Sequence, residues 1–175
     1  EINTETGLVT IKYDKQPFEM KAGVTGIIKS VNQGISALVE YEGTETQGRI
    51  GFGSVSWGEL CYIETAVLKD IDATGKVLAV KGRIDLDFLK QARQEKARGV
   101  IASSLSNRQL AEFIGMEIGV ALTGNEDIPF PVVLTEGFGN FAMNDKYQQI
   151  LQAHNGKWCY LNGHTQIRAG VVRPV

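Results

Sequence analysis

The chain has 175 residues, of which 43% are hydrophobic, and its formal net charge at pH 7 is −2. A chain of this length and composition forms one globular domain or two small ones. Its charge gives no general attraction to nucleic acid or to an anionic membrane, and no apolar run reaches the roughly 20 residues of a membrane-spanning helix. Because the chain does not begin with Met, we expect it to be part of a longer protein.

Residues 1–68 show no helical period and contain five short segments that are typical of β-strands. The predicted strands cover residues 8–13, 24–31, 36–41, 46–52 and 58–64. Asn32-Gln33-Gly34 is suited to the turn of a hairpin between the second and third of them. Short strands separated by glycines predict a small β-barrel or sandwich domain over residues 1–68.

Residues 22–28, with the sequence AGVTGII, resemble the hairpin of barrel-sandwich hybrids, the biotinyl- and lipoyl-like folds. Met20-Lys21 is similar to the dipeptide that carries biotin in that family. There the modified lysine lies in an exposed hairpin, whereas Lys21 leads directly into the next strand. We therefore favour a solvated lysine at a strand edge over a biotinyl site.

The same segment resembles the KOW motif of ribosomal and transcription proteins through Gly23, Gly26, Ile28, Val31 and Val39. That resemblance implies RNA binding through surrounding basic residues. The basic residues of this segment are outnumbered by glutamates, which favours a purely structural barrel.

Residues 69–175 alternate between apolar runs and amphipathic segments, which predicts an α/β domain. Residues 76–81 form a buried strand, Asp85 is placed to cap the helix that follows, and Gly99 is expected to end that helix. A second buried strand begins at Val100. This order predicts a strand–helix–strand crossover with parallel strands.

Two more helices and a third buried strand follow. Ser106 and Gln109 have the spacing of a capping box, and Asn144 is placed to cap the last helix. Residues 132–134 form the third strand. We therefore expect a β-rich α/β fold with a mainly parallel sheet, in which Ala79, Ile101 and Val133 lie side by side.

The pattern from about residue 75 onward is similar to the swivelling β/β/α domains of phosphoenolpyruvate-using phosphotransferases and to protease-associated domains. Residues 75–80, the helix containing Ala92, and residues 99–101 bear the resemblance. In the phosphotransferases, a loop Gly-x-Thr-Ser-His-Ala holds a phosphorylated histidine. Here His164 follows Asn162-Gly163 without the flanking Ser and Ala, so an ordinary turn histidine is the favoured interpretation.

In parallel sheets, ligands bind beyond the carboxyl ends of the strands. We call the residues predicted at those ends the strand-end site. They are Lys81, Arg83, Ser103, Ser104, Thr135, Glu136 and Gly137. Cations, hydroxyls and helix N-termini together suit a small anion. The alternative is that the serines and Asp85 are helix caps and that the glycines form turns.

Glu136 is the one carboxylate of the strand-end site that we would test as an acid or base. It has no second carboxylate, histidine or cysteine at an informative spacing, so no catalytic pair is visible. His154 and His164 lack metal-ligand spacing, and we expect no cofactor. Cys61 and Cys159 belong to no CxxC pattern, which favours two free thiols over a disulfide and a reducing, cytoplasmic setting.

The main functional hypothesis is a non-catalytic binding or interaction module whose ligand is a partner protein or a small polar molecule. One alternative is an enzyme domain that uses the strand-end crevice around Glu136. The other is an RNA-binding protein that works through the KOW-like barrel.

Overall fold

The computed structural model describes residues 19, 21–115 and 128–164. The chain divides into two compact units, Glu1–Glu40 and Tyr41–Val175. Within the described ranges, no helix combines the length and the apolar character needed to cross a membrane.

A β-hairpin is the described part of the first unit. Strand β1 (Ile27–Asn32) pairs in antiparallel fashion with strand β2 (Ser36–Glu40). The turn between them is closed by a 3.0 Å hydrogen bond from Ile35 N to Asn32 O, and Gly34 has a φ of 74°. The predicted hairpin is thus confirmed, whereas the strand predicted at residues 8–13 lies outside the described residues.

The second unit contains a mixed six-stranded sheet in the order β3-β7-β6-β5-β4-β8. Its strands are β3 (Ile50–Phe52), β4 (Val55–Ile63), β5 (Lys76–Val80), β6 (Gly99–Leu105), β7 (Val132–Phe138) and β8 (Trp158–Asn162). The four inner strands pair in parallel, and both edge strands pair in antiparallel fashion. Ala79 pairs with Ile101, which pairs with Val133, as expected from the sequence.

The sheet curls until its two edges almost meet, so that it is nearly barrel-shaped. A Cβ atom added to Gly51 of β3 would lie 2.8 Å from the carbonyl oxygen of Gly163, which directly follows β8. Gly163 N also donates a 3.2 Å hydrogen bond to Ser54 O. Glycine is required at this meeting point because a side chain would occupy the space of the opposite backbone.

Strands β3 and β4 pair differently from the arrangement predicted for residues 1–68. β3 pairs with β7, and β4 pairs with β5 and β8, so both belong to the sheet of the second unit. β1 and β2 pair with each other. Local β-propensity located these segments, but it does not specify partners that are distant in the chain.

The helix between β5 and β6 is α1 (Leu86–Gln94), and Phe88 N donates a 2.8 Å hydrogen bond to the predicted cap, Asp85. It ends earlier than expected. Ala97 N donates to Ala92 O, Lys96 N donates to Arg93 O, and Lys96 has a φ of 57°. This is a Schellman ending with a lysine in the left-handed position. Gly99 is instead the first residue of β6.

Helices α2 (Asn107–Ile114) and α3 (Asp145–Ala153) begin after the predicted caps, Ser106 and Asn144. Asn144 accepts a 2.9 Å hydrogen bond from Lys146 N. The capping box predicted for α2 is wrong: the Ser106 side chain makes no capping hydrogen bond, and Gln109 Oε1 is buried without a partner among the described residues.

Buried side chains cover both faces of the sheet. On one face, α1 and α2 contribute Phe88, Leu89 and Leu110 to a cluster with Leu78 and Val80 of β5. On the other face, Leu151 of α3 joins Val77 and Ala79 of the same strand in a second cluster. The continuous apolar run of β5 is explained by this double burial.

Candidate functional site

Ser103 and Ser104 do not lie at the end of β6. The strand continues to Leu105, and both serines are fully buried within it. Their hydroxyls therefore lie inside the strand and not at its exposed end, where the sequence predicted them. Buried hydroxyl groups need hydrogen-bond partners, and the partner here is the backbone of one residue, Phe141.

The two hydroxyls converge on Phe141. Ser103 Oγ donates to Phe141 O over 2.7 Å, and Ser104 Oγ donates to the same oxygen over 3.0 Å. Phe141 N donates back to Ser104 Oγ over 3.0 Å. Both hydrogen-bonding groups of the Phe141 backbone are thus held by β6.

Thr135, Glu136 and Gly137 were expected in a loop but belong to β7, which extends to Phe138. The register between β6 and β7 shifts here, because Ala102 pairs with Leu134 and Ser104 pairs with Gly137. Thr135 and Glu136 together oppose Ser103, which is the geometry of a β-bulge. The shift keeps the two strands paired beyond the predicted end of β7.

Each of these three β7 residues contacts a neighbouring part of the fold. Thr135 is buried, and its Oγ1 lies 3.5 Å from Ala102 O. Gly137 has a φ of 92°, and its missing side chain leaves room for the stem of Arg49. Glu136 Oε1 accepts a 3.0 Å hydrogen bond from Asn144 N at the start of α3. A carboxylate in this position stabilises the helix N-terminus.

Lys81 forms an ion pair rather than part of a pocket. Its Nζ lies 2.9 Å from Glu64 Oε2 at the end of β4, and both side chains are exposed. The hydrogen bond to Glu64 raises the pKa of Lys81. Burial raises the pKa of the neighbouring Tyr62, and the Glu64 charge raises it further. Lys81 is therefore a solvated cation with its own counterion.

Arg83 is the residue of the strand-end site that lines a pocket. We call this open depression, with a volume of about 470 Å³, the Arg83 pocket. It is lined by Arg83, Ser106, Asn107, Phe138, Gly139 and Asn140. Its position is fixed by hydrogen bonds from Ile84 N to Ser104 O and from Gly139 N to Leu105 O, both 3.1 Å long.

The Arg83 pocket is bordered by polar groups of three kinds. Its lining residues include one arginine, Arg83, two asparagines, Asn107 and Asn140, and Ser106, whose side chain makes no capping hydrogen bond to α2. Phe138 is the apolar residue of the lining, and its ring centroid lies 5.7 Å from that of Phe52. Such a combination can bind a small anion or a polar molecule by charge-assisted hydrogen bonds.

Sequence reasoning found Arg83 but missed the other lining residues. Residues 137–141, with the sequence GFGNF, follow the third predicted strand and combine glycines with exposed side chains. A glycine-rich turn with aromatic residues beyond a strand was the available signal. Because β7 was predicted to end at Leu134, residues 135–137 were assigned to the strand end, although the strand continues to Phe138.

Metal binding and thiol reactivity depend on how the His, Cys, Asp and Glu side chains are placed. In the described ranges, no group of three or more His, Cys, Asp or Glu side chains is placed to hold a metal ion. Cys61 and Cys159 are both free, which confirms the prediction of two thiols. Burial raises the pKa of Cys61 and raises that of Cys159 to about 11, so neither is an activated nucleophile.

Comparison of the chain with protein-family models, with curated proteins and with solved structures found no match. What the Arg83 pocket can bind is therefore inferred from its own side chains.

Proposed function

We propose that this chain is a non-catalytic binding module that takes a small anionic molecule in the Arg83 pocket. We further propose that the six-stranded sheet with α1, α2 and α3 is of the swivelling β/β/α type. The free thiols support a reducing, cytoplasmic setting.

The observation that supports this function is the grouping of Arg83 with the polar residues Ser106, Asn107 and Asn140 around one depression. Lys81, the other cation of the strand-end site, is neutralised by Glu64. Arg83 instead lines the pocket together with Asn107, Asn140 and Ser106, and the Ser106 side chain makes no capping hydrogen bond. A guanidinium binds phosphate and carboxylate groups in a bidentate geometry, so these are the anions of choice.

A binding role is favoured over the enzyme alternative because Glu136 already accepts a hydrogen bond from the α3 backbone. Protonation of Glu136 would weaken this hydrogen bond to the first residue before α3. The RNA-binding alternative is weakened because Lys29 of β1 forms an ion pair with Glu40 of β2. Neither group is then available to a ligand without losing its present partner.

The test is calorimetric titration with inorganic phosphate, sulfate, acetate and citrate. Phosphate and sulfate stabilise most proteins by exclusion from their surface, so a thermal shift alone would not identify a site. We expect at least one anion to bind, and Arg83→Ala to weaken that binding at least tenfold. Arg98→Ala, which removes an exposed arginine before β6, should have no effect.

Glu136→Gln provides a further comparison, because it removes the charge but keeps the shape of the side chain. We expect it to leave anion affinity unchanged within about twofold. Absence of binding by every anion, or equal losses in Arg83→Ala and Arg98→Ala, would contradict the proposed function.

The β1–β2 hairpin supports a second candidate, the binding of a partner protein. Ile28 pairs with Val39 and Val31 pairs with Ala37, so these four apolar residues share one face. Ile28 is 64% exposed and Val31 is 67% exposed. A contiguous exposed apolar face is typical of an interaction surface.

A photo-crosslinking amino acid at Val31, compared with one at exposed Glu95, would test this second candidate. The captured protein would then be purified and titrated with the wild type and with the Ile28→Thr, Val31→Thr double variant. Loss of binding in the double variant is expected. Equal binding to both would contradict a role for the hairpin face.

A further inference from the structure

The segment that borders the Arg83 pocket is anchored by hydrogen bonds at both of its ends. We call residues 139–144 the Phe141 loop. It is anchored at its start by Gly139 N donating to Leu105 O, and at its end by Asn144 N donating to Glu136 Oε1. Near the end, Gln148 Nε2 donates a 2.6 Å hydrogen bond to Met143 O. Met143 itself is buried.

The centre of the Phe141 loop is anchored by the two buried serines of β6. Their three hydrogen bonds occupy the N–H and C=O groups of Phe141. Placing two hydroxyls in a fully buried strand is costly unless each is satisfied, and here both are satisfied by the same residue. The backbone of Phe141 is thus fixed, while its ring remains 53% exposed.

The Phe141 ring packs against Gly139, which is one of the residues that line the Arg83 pocket. A Cβ atom added to Gly139, which lines the Arg83 pocket, would be 2.5 Å from Phe141 Cε2 and 3.2 Å from Cζ. The ring therefore covers the α-carbon of Gly139, and Phe141 directly follows Asn140, another residue that lines the depression. A rigid exposed aromatic ring supplies contact area at a low cost in conformational entropy.

We infer that Phe141 selects the ligand of the Arg83 pocket and that Ser103 and Ser104 are positioning residues for Phe141. The inference rests on the proposed function. The ligand class is a small molecule that joins an anionic group to a flat ring, with the anion on Arg83 and the ring on Phe141. No covalent step is involved, because the pocket is a binding site.

The experiment compares four probes by calorimetric titration of the full chain. Phenyl phosphate and benzoate contain a ring and an anion, whereas inorganic phosphate and acetate lack the ring. We expect each aromatic anion to bind about two- to tenfold more tightly than its ring-free counterpart. Comparing the two pairs distinguishes a phosphate ligand from a carboxylate ligand.

Variants then assign this difference to Phe141. Phe141→Ala should abolish the advantage of the aromatic anion and leave the ring-free anion within about twofold, whereas Phe141→Tyr should restore it. Tyr160→Ala removes an exposed aromatic residue of β8 and should change neither affinity. Ser103→Ala and Ser104→Ala should each reduce the ratio of the two affinities, a quantity that a general loss of stability does not change.

The outcomes distinguish a failure of this inference from a failure of the proposed function on which it rests. If the ring-free anions bind through Arg83 but aromatic anions gain nothing, or keep their gain in Phe141→Ala, the inference is wrong and the proposed function stands. If no anion of either kind binds, the proposed function is wrong as well. An aromatic advantage that persists unchanged in both serine variants overturns the positioning role alone.

Discussion

Ser104 and Phe141 are joined by hydrogen bonds in both directions, since Ser104 Oγ donates to Phe141 O and accepts from Phe141 N, each over 3.0 Å. The two residues are far apart in the chain, and one is buried while the other is exposed. Through this pair, the interior of β6 fixes the backbone of a surface loop. The buried serines of β6 thereby support the loop that borders the Arg83 pocket.

Ser104→Ala should destabilise the protein. The substitution removes the partly buried hydrogen bond that Phe141 N donates, and the loss of one such hydrogen bond costs about 0.5–1.5 kcal/mol. Urea denaturation followed by circular dichroism measures the change in the free energy of unfolding. A change below about 0.5 kcal/mol would show that water or another group replaces the serine, contrary to this account.

The two helix caps should differ in strength. Asp85 accepts a hydrogen bond from Phe88 N, whereas the Ser106 side chain makes no capping bond. Asp85→Ala should therefore cost about 1 kcal/mol, and Ser106→Ala should cost only a few tenths. The same urea measurement compares them. Equal losses in the two variants would contradict the absence of a Ser106 cap.

Gly163→Ala should disrupt the meeting of the two sheet edges. The added Cβ would contact Phe52 O and lie 2.8 Å from Gly53 O, and backbone atoms cannot move aside as a flexible side chain can. We expect a loss of at least about 3 kcal/mol or failure to fold. Gly82→Ala is the matched control, because no atom lies within 4 Å of its added Cβ. Equal stability of the two variants would contradict the observed closure.

The Cys159 thiol should react slowly. Burial raises its pKa from 9.0 to about 11, so the thiolate fraction at pH 8 falls roughly a hundredfold below that of an exposed thiol. Ellman's reagent should modify Cys159 slowly in the native state and rapidly in urea. A Cys61→Ser variant isolates the Cys159 signal. Fast native modification would show that Cys159 is accessible.

The same burial predicts a dependence of stability on pH. Between pH 9 and 11 the folded state holds the Cys159 proton while the unfolded state releases it. The free energy of unfolding should therefore fall as the pH rises through this window. Cys159→Ser should have a smaller decline than the wild type. Identical pH profiles would contradict the assignment of this decline to Cys159.

The elements that depend on local chemistry could be predicted from the sequence. Asp85 and Asn144 were identified as caps, and the β1–β2 turn was identified from its glycine. The parallel alignment of Ala79 with Ile101 followed from the strand–helix–strand order. Each of these features is determined by residues within a few positions of one another, or by a short connection.

The strand pairing and the Arg83 pocket could not be predicted in this way. Ile50 pairs with Leu134, and no local rule links residues so distant. The bulge between β6 and β7 allows both strands to continue. Ser104 and Glu136 therefore lie within the sheet and not beyond the strand ends, where they were predicted. The pocket is consequently lined by residues at or just beyond the true ends of the two strands, among them Ser106 after β6 and Gly139 after β7.

Amide chemical-shift mapping during a titration with inorganic phosphate tests the central claim, an anion site at the Arg83 pocket, most directly. The account predicts that the largest changes fall on Ser106, Asn107, Gly139 and Asn140, and that Arg83→Ala abolishes them. Changes confined to other surfaces such as the β1–β2 hairpin, or changes that persist unaltered in Arg83→Ala, would contradict it.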